Sequence, residues 1–170
     1  MVKEKVTLFF CDIVGTFDSG KLFLINNLEI KKFVDNLNNI IQYNKTDKII
    51  FSFVTTENLE TLHIIEEQFK PFLNDNICVK NHIYYDEIHN VDKPYDIIMN
   101  IKSLELLYDI ENIYYADDTK FYHEILNSLK DCYNIKYKIT SIIPGDNGLS
   151  DVNTLIEDIV NSYSRQKIKK

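Results

Sequence analysis

Val6-Thr7-Leu8-Phe9-Phe10-Cys11, followed by Asp12-Ile13-Val14-Gly15-Thr16, sets the reading of this chain. The first six residues are an apolar run of strand length, rich in β-branched and aromatic side chains, and it ends on a carboxylate and a turn. Four further runs of the same kind follow: Ile49 to Val54, Ile77 to Tyr84, Ile113 to Ala116 and Tyr137 to Ile143. Between and after them the apolar residues recur at helical spacing. Ile30, Phe33, Val34, Leu37, Ile40 and Ile41 make one stripe, and Leu59, Leu62, Ile65 and Phe69 a second. Ile97, Ile98, Ile101, Leu104 and Leu107 make a third, Phe121, Ile125 and Leu129 a fourth, and Val152, Leu155, Ile156, Ile159 and Tyr163 a fifth. Strands alternating with helices imply right-handed βαβ crossovers and a parallel sheet covered on both faces. The expected fold is therefore α/β: a Rossmann-like three-layer α/β/α sandwich on a five-stranded, mainly parallel sheet. Pro94, beside Lys93, is expected to open the third helix, where a missing amide hydrogen costs nothing. Ser150 is expected to cap the fifth, after the turn-forming Pro144-Gly145-Asp146-Asn147-Gly148.

The 170 residues carry 19 Lys plus Arg against 26 Asp plus Glu, a net charge of −7. A chain of this length can bury roughly 70% of its unfolded surface in one core. With no repeat and no Pro-, Gly- or Ser-rich linker, one domain over residues 1–170 is the expected organisation. The apolar runs fall far short of the ~20 residues of a membrane span. Residues 1–5 enter the first strand without the apolar core of a signal peptide, so the expected location is the cytoplasm. Cys11, Cys78 and Cys132 are an odd number at wide spacing and read as reduced, mostly buried thiols. Arg165 is the only Arg, and with Lys167, Lys169 and Lys170 it forms a basic tail that reads as a solvated, frayed end. An acidic chain with one Arg does not favour nucleic acid as a partner.

In open parallel sheets ligands bind beyond the carboxyl ends of the strands, which directs attention to the residues just after each run. Asp12 follows the first, Thr55 and Thr56 the second, and Asp117-Asp118-Thr119 the fourth, while Lys93 opens the helix leading into that fourth strand. Three carboxylates, a hydroxyl and an ammonium would meet at one sheet edge. Carboxylates that close repel one another and call for a cation, and an oxygen-only donor set suits a hard ion such as Mg2+. No Cys or His spacing points to zinc. A carboxylate beside such an ion and a Lys can attack a neutralised phosphate and form an acyl phosphate.

With these residues in this order the chain resembles the haloacid dehalogenase superfamily of aspartate-nucleophile phosphohydrolases. The matching pieces are a hydrophobic strand ending in Asp12-x-x-Gly15-Thr16, a second strand ending in Thr55, Lys93-Pro94 before a helix, and a strand ending in Asp117-Asp118. Carried over by position, the resemblance implies that Asp12 is the nucleophile and a metal ligand and that the Val14 carbonyl also binds the metal. Thr55 would hold a phosphoryl oxygen, with Thr56 in its place if the strand runs one residue further. Gly15, Thr16 and Thr56 fall to substrate binding. Lys93, with Lys102 as the alternative, would neutralise charge on the nucleophile and phosphate, and Asp117 and Asp118 would anchor Mg2+.

One position departs from the family pattern. Phosphatases of this family carry a second Asp two residues after the nucleophile, which protonates the leaving oxygen and then activates water; here that residue is Val14. A positioned acid or base contributes about 10²- to 10⁴-fold. Either the leaving group needs little protonation, as in acyl or aryl phosphates, or another residue such as Asp18 substitutes, or turnover is weakened and the domain binds a phosphorylated ligand or a protein. A small apolar residue at this position also marks the phosphonate-cleaving branch, but that branch uses a cap-domain lysine with no counterpart here. The intervals from Asp12 to Thr55 and from Thr55 to Lys93 are filled by a short hairpin-like piece, Phe17 to Asn26, two helices and a strand. That leaves no room for a large cap. The site is then open to a small or macromolecular phosphorylated substrate, or covered by a second copy in a homo-oligomer. His63, His82, His89 and His123 share no ligand spacing and read as surface or satisfied core residues, and the 11 tyrosines, Tyr114-Tyr115 among them, read as packing.

Overall fold

The structure, a computed structural model, describes residues 2–13, 16, 26–55, 59–80, 82–84 and 93–168. Its strands are β1 (Lys5–Cys11), β2 (Lys48–Thr55), β3 (Ile77–Val79), β4 (Ile83–Tyr84), β5 (Asp109–Ala116) and β6 (Ile139–Ile142). Its helices are α1 (Asn27–Asn44), α2 (Leu59–Phe69), α3 (Lys93–Glu105), α4 (Lys120–Cys132) and α5 (Leu149–Ile168). The sheet runs β3-β2-β1-β5-β6, β4 pairs with β2 beyond β3, and every pairing is parallel. This is the expected Rossmann-like three-layer sandwich.

β1 and β2 are buried along almost their whole length, and β5 over its last four residues, because both faces are covered. Phe9 and Cys11 of β1, with Phe51, Phe53 and Tyr114, face α1, α2 and α5. There Phe9, Phe33, Phe51, Phe53 and Phe69 interlock, the closest pair being Phe51 and Phe53 at 4.8 Å between centroids, nearly edge to face. Alternation sends Leu8, Phe10, Ile50, Val54 and Tyr115 to the other face, under Ile97, Ile98 and Ile101 of α3 and Leu126 of α4. Helix α1 buries the stripe read from its spacing, is capped by the Asn26 side chain accepting from Leu28 N–H at 2.8 Å, and stops at Lys45, whose φ of 55° is left-handed.

Three local expectations change. The run from Ile77 to Tyr84 is not one strand. Ile77 aligns with Ile49 but Ile83 aligns with Val54, so the edge carries one extra residue relative to β2. At the break Phe53 N–H donates to His82 Nδ1 at 3.0 Å, so an imidazole stands where a backbone carbonyl would be. His82 Nε2 meets Glu66 Oε1 at 2.6 Å. Ser150 is not the cap of α5: the helix begins at Leu149 after Gly148 at φ 56°, and the Asp151 carboxylate accepts from Asn147 N–H. Finally, α5 continues to Ile168, so Arg165 and Lys167 belong to a helix rather than to a frayed tail. No helix among the described residues is long and apolar enough to cross a membrane. The three cysteines are free, but of them only Cys11 is fully buried, and Cys132, the last residue of α4, is exposed.

Candidate functional site

The chain builds outward from β1 through β2 to the β3/β4 edge and then returns to lay β5 and β6 on the other side of β1. The carboxyl ends of β1 and β5 therefore lie side by side where the strand order reverses, the crevice in which sheets of this kind bind ligands. Asp12 follows β1 and Asp117 follows β5. Asp12 N–H donates to Ala116 O at 2.9 Å and Asp117 N–H to Ile142 O at 3.1 Å, so the ladder continues into the site and fixes both backbones.

Pleating then sets the side chains. Phe10 and Tyr115 lie on the α3/α4 face, and Asp12 and Asp117, two residues further along, share it. Lys93, the first residue of α3, extends into this face and is 1% exposed. Its Nζ lies 3.3 Å from Asp12 Oδ1, makes an ion pair with Asp117 Oδ2, and sits 5.0 Å from the centre of the Tyr122 ring. A buried cation at a helix N-terminus opposes the helix dipole, and here two carboxylates and an aromatic face offset that penalty. The carboxylates of Asp12, Asp117 and Asp118 each place an oxygen within 4.8 Å of the others.

The electrostatics follow from burial. Desolvation raises the Asp12 carboxyl to about 7, against the pull of Lys93 and with the help of Asp117. Asp118, exposed at the rim, is also raised, by desolvation and by Asp117. Burial pushes the Cys11 thiol well above its usual range, with Asp12 and Asp117 adding to it; its Sγ donates to Asp12 O at 3.2 Å. Burial lowers the His123 imidazole, against the Asp117 carbonyl and carboxylate, which raise it.

Asp117 is held from every side. Its Oδ1 accepts Thr119 N–H at 2.9 Å, its Oδ2 accepts the Tyr115 hydroxyl at 2.6 Å as well as Lys93, and its backbone carbonyl lies 2.8 Å from His123 Nε2. Thr16, fully buried, accepts Asp118 N–H on Oγ1 at 2.9 Å and so ties the turn after β1 to the acidic pair.

Of the residues singled out from sequence, the structure thus brings together Asp12, Thr16, Lys93, Asp117 and Asp118. Lys102 is excluded as the alternative lysine: it pairs with Glu105 at 3.7 Å and lines a groove with Asn134, Lys136 and Tyr137. Thr55 ends β2 and is buried, but the register places it two residues beyond Phe53, the partner of Cys11. Alternation therefore aligns it with Phe53 on the face opposite Asp12. Val14, Gly15, Thr56 and Asp18 lie outside the described residues, as does nearly all of the Phe17–Asn26 piece. Tyr115 packs in the core and His123 is a buried, hydrogen-bonded core residue, as expected, and both in addition bond to Asp117. Strand alternation alone points to the first, since Tyr115 on β5 and Asp117 just after it are two residues apart.

No protein-family model matches the chain, and no solved structure matches it. Among curated proteins it is similar to the DNA-directed RNA polymerase subunit beta'' of Euglena longa, 28% identical over 151 residues, covering 79% of this chain and 18% of that subunit. The chain therefore spans under a fifth of the length of that relative.

Proposed function

We propose that the protein is a magnesium-dependent phosphohydrolase resembling the haloacid dehalogenase superfamily, without a large cap domain, acting through an aspartyl phosphate on Asp12. The observation that carries this reading is the meeting of Asp12, Asp117, Asp118 and the buried Lys93 at the carboxyl ends of two adjacent parallel strands. The donor set fits a hard divalent cation. It is all oxygen, its carboxylates are mutually close, and the Lys93 ammonium already stands among them as a positive charge. Asp12, Asp117 and Asp118 would hold Mg2+, and when bound it would neutralise phosphate charge and keep Asp12 ionised.

The chain's own residues then do the following. An Asp12 carboxylate oxygen attacks phosphorus; the bond from phosphorus to the leaving oxygen breaks, and the electron pair departs on that oxygen. Water attacks the aspartyl phosphate next, restoring the Asp12 carboxylate and releasing inorganic phosphate with water's oxygen and one of its protons; the other proton goes to solvent and balances the one that the leaving oxygen takes up there. Lys93 holds the charge that builds between Asp12 and the phosphoryl oxygens, and the hydroxyl just after β2, that of Thr56, binds one of those oxygens. Val14 offers no proton to the leaving oxygen, which fits acyl or aryl phosphates, whose leaving groups depart with little protonation; for other esters Asp18 is the acid nearest in sequence.

Val14 also favours a second reading, a domain of the same design whose turnover is weakened and that binds a phosphorylated ligand or a protein partner. Nucleic acid, which similarity to a polymerase subunit would bring to mind, meets a chain of net charge −7. The test is phosphate release from aryl, acyl, sugar and nucleotide phosphates with and without Mg2+, comparing the native chain with Asp12→Asn and Val14→Asp. Release that needs both Mg2+ and Asp12 supports the hydrolase. Silence from the native chain with release from Val14→Asp supports the binding domain, and silence from both overturns the aspartyl-phosphate reading.

A further inference from the structure

We infer that Tyr115 and His123 are positioning residues for the cation site: they fix Asp117 from behind, so that a single carboxylate lone pair is left to face the cluster. The inference rests on the proposed function, since it concerns how that site holds its ion.

A carboxylate has about four lone-pair positions. In Asp117, which is 0% exposed, Lys93 and the Tyr115 hydroxyl occupy Oδ2 and Thr119 N–H occupies one position on Oδ1. One position on Oδ1 remains, for a cation or for a proton shared with Asp118. A phenol 2.6 Å from a carboxylate is a short, charge-assisted bond, and burial of both partners shields it from water. His123 works on the other end of the residue. Buried, it donates Nε2–H to the Asp117 carbonyl at 2.8 Å. Its ring also lies 4.6 Å from that of Tyr115, so the two side chains brace each other. With the amide held by Ile142 and the carbonyl by His123, Asp117 can neither rotate its carboxylate nor shift its backbone without breaking several buried bonds.

Neither interaction is needed merely to fill space. A Phe at 115 occupies the same volume under α4, and Leu at 123 retains an apolar contact with Tyr115. What those changes remove is orientation. Outer residues that orient a metal ligand are worth about 10- to 100-fold in metal affinity.

The probe is Mn2+ alone, titrated into the native chain, Tyr115→Phe, His123→Gln and His123→Leu, with free ion followed by electron paramagnetic resonance and fold checked by circular dichroism. The expected result is Mn2+ binding by the native chain, weakened about 10- to 100-fold in Tyr115→Phe. His123→Leu should also bind more weakly, and His123→Gln, whose amide keeps an N–H donor, should lie between Leu and native. If Tyr115→Phe does not fold, the Gln-versus-Leu comparison at position 123 decides. Native-like affinity in the folded variants overturns the positioning role while leaving the cation site intact. No Mn2+ binding by the native chain overturns both this inference and the reading on which it rests.

Discussion

Replacing Lys93 with Met separates the charge of the site from its shape, because Met keeps the length of the buried stem and removes only the ammonium. In the native chain that ammonium neutralises Asp12 and Asp117, both buried. Without it two carboxylates face one another with little water to screen them, and breaking a buried ion pair costs about 3–5 kcal/mol at neutral to alkaline pH. The penalty should depend on pH in a direction that the structure fixes. Asp12 in the folded native chain titrates at about 7 against 3.8 when unfolded, so its protonated form is favoured by folding, and the corresponding stability is lost as pH rises through 7. On going from pH 8 to pH 5 without divalent cation, the native chain therefore gains about 3 kcal/mol, roughly two pH units at about 1.4 kcal/mol each. Lys93 is what pulls the Asp12 carboxyl down, so in Lys93→Met it titrates higher still and the gain extends over about three units, roughly 4 kcal/mol. The penalty should shrink by about 1 kcal/mol at pH 5, and Mg2+ at pH 8 should restore part of it by standing in for the ammonium. Urea denaturation of both chains in EDTA at pH 5 and 8, and with Mg2+ at pH 8, measures all three. Equal midpoints at pH 8, or a deficit that does not change with pH, would refute the reasoning.

Two further outcomes test the scaffold around the site. Asn153 accepts Asn36 Nδ2 at 3.1 Å and donates to the Glu29 carbonyl and carboxylate, joining α1 to α5 through buried amides. Asn153→Ala should cost about 1–3 kcal/mol in chemical denaturation through the unpaired groups it leaves, and the double change Asn36→Leu/Asn153→Leu should cost less than the single one. His82→Phe keeps a ring beside Phe53 but leaves the Phe53 amide without its acceptor, so that amide should exchange with deuterium faster than in the native chain while Phe51 N–H is unaffected.

The layers and the charged centre were legible in the sequence for one reason: period. A covered parallel sheet writes itself as short apolar runs separated by helical stripes, and a ligand site in such a sheet sits at the run ends, where Asp12, Lys93 and Asp117 stand. What escaped has equally physical causes. The break after β3 depends on a side chain, His82, taking over a backbone acceptor, and apolar patterning is blind to that exchange. The face of Thr55 depends on register between strands, which no single strand reveals. His123 reaches the Asp117 carbonyl across the first turn of α4, a contact set by how the helix leaves the strand, and its spacing from the acidic pair matches no ligand pattern.

The broken margin of the sheet has one more consequence. A strand edge is a template that a second chain can extend, and aggregation begins where such a template is long and regular. Here an incoming strand would find three paired residues, a one-residue slip where an imidazole caps β2, and then two more, while the opposite margin, β6, is four residues long. Among the described residues neither margin offers a long, regular row of amides and carbonyls. A second copy of the chain would have to be recruited through helices or loops, and the sheet itself is guarded against growing sideways.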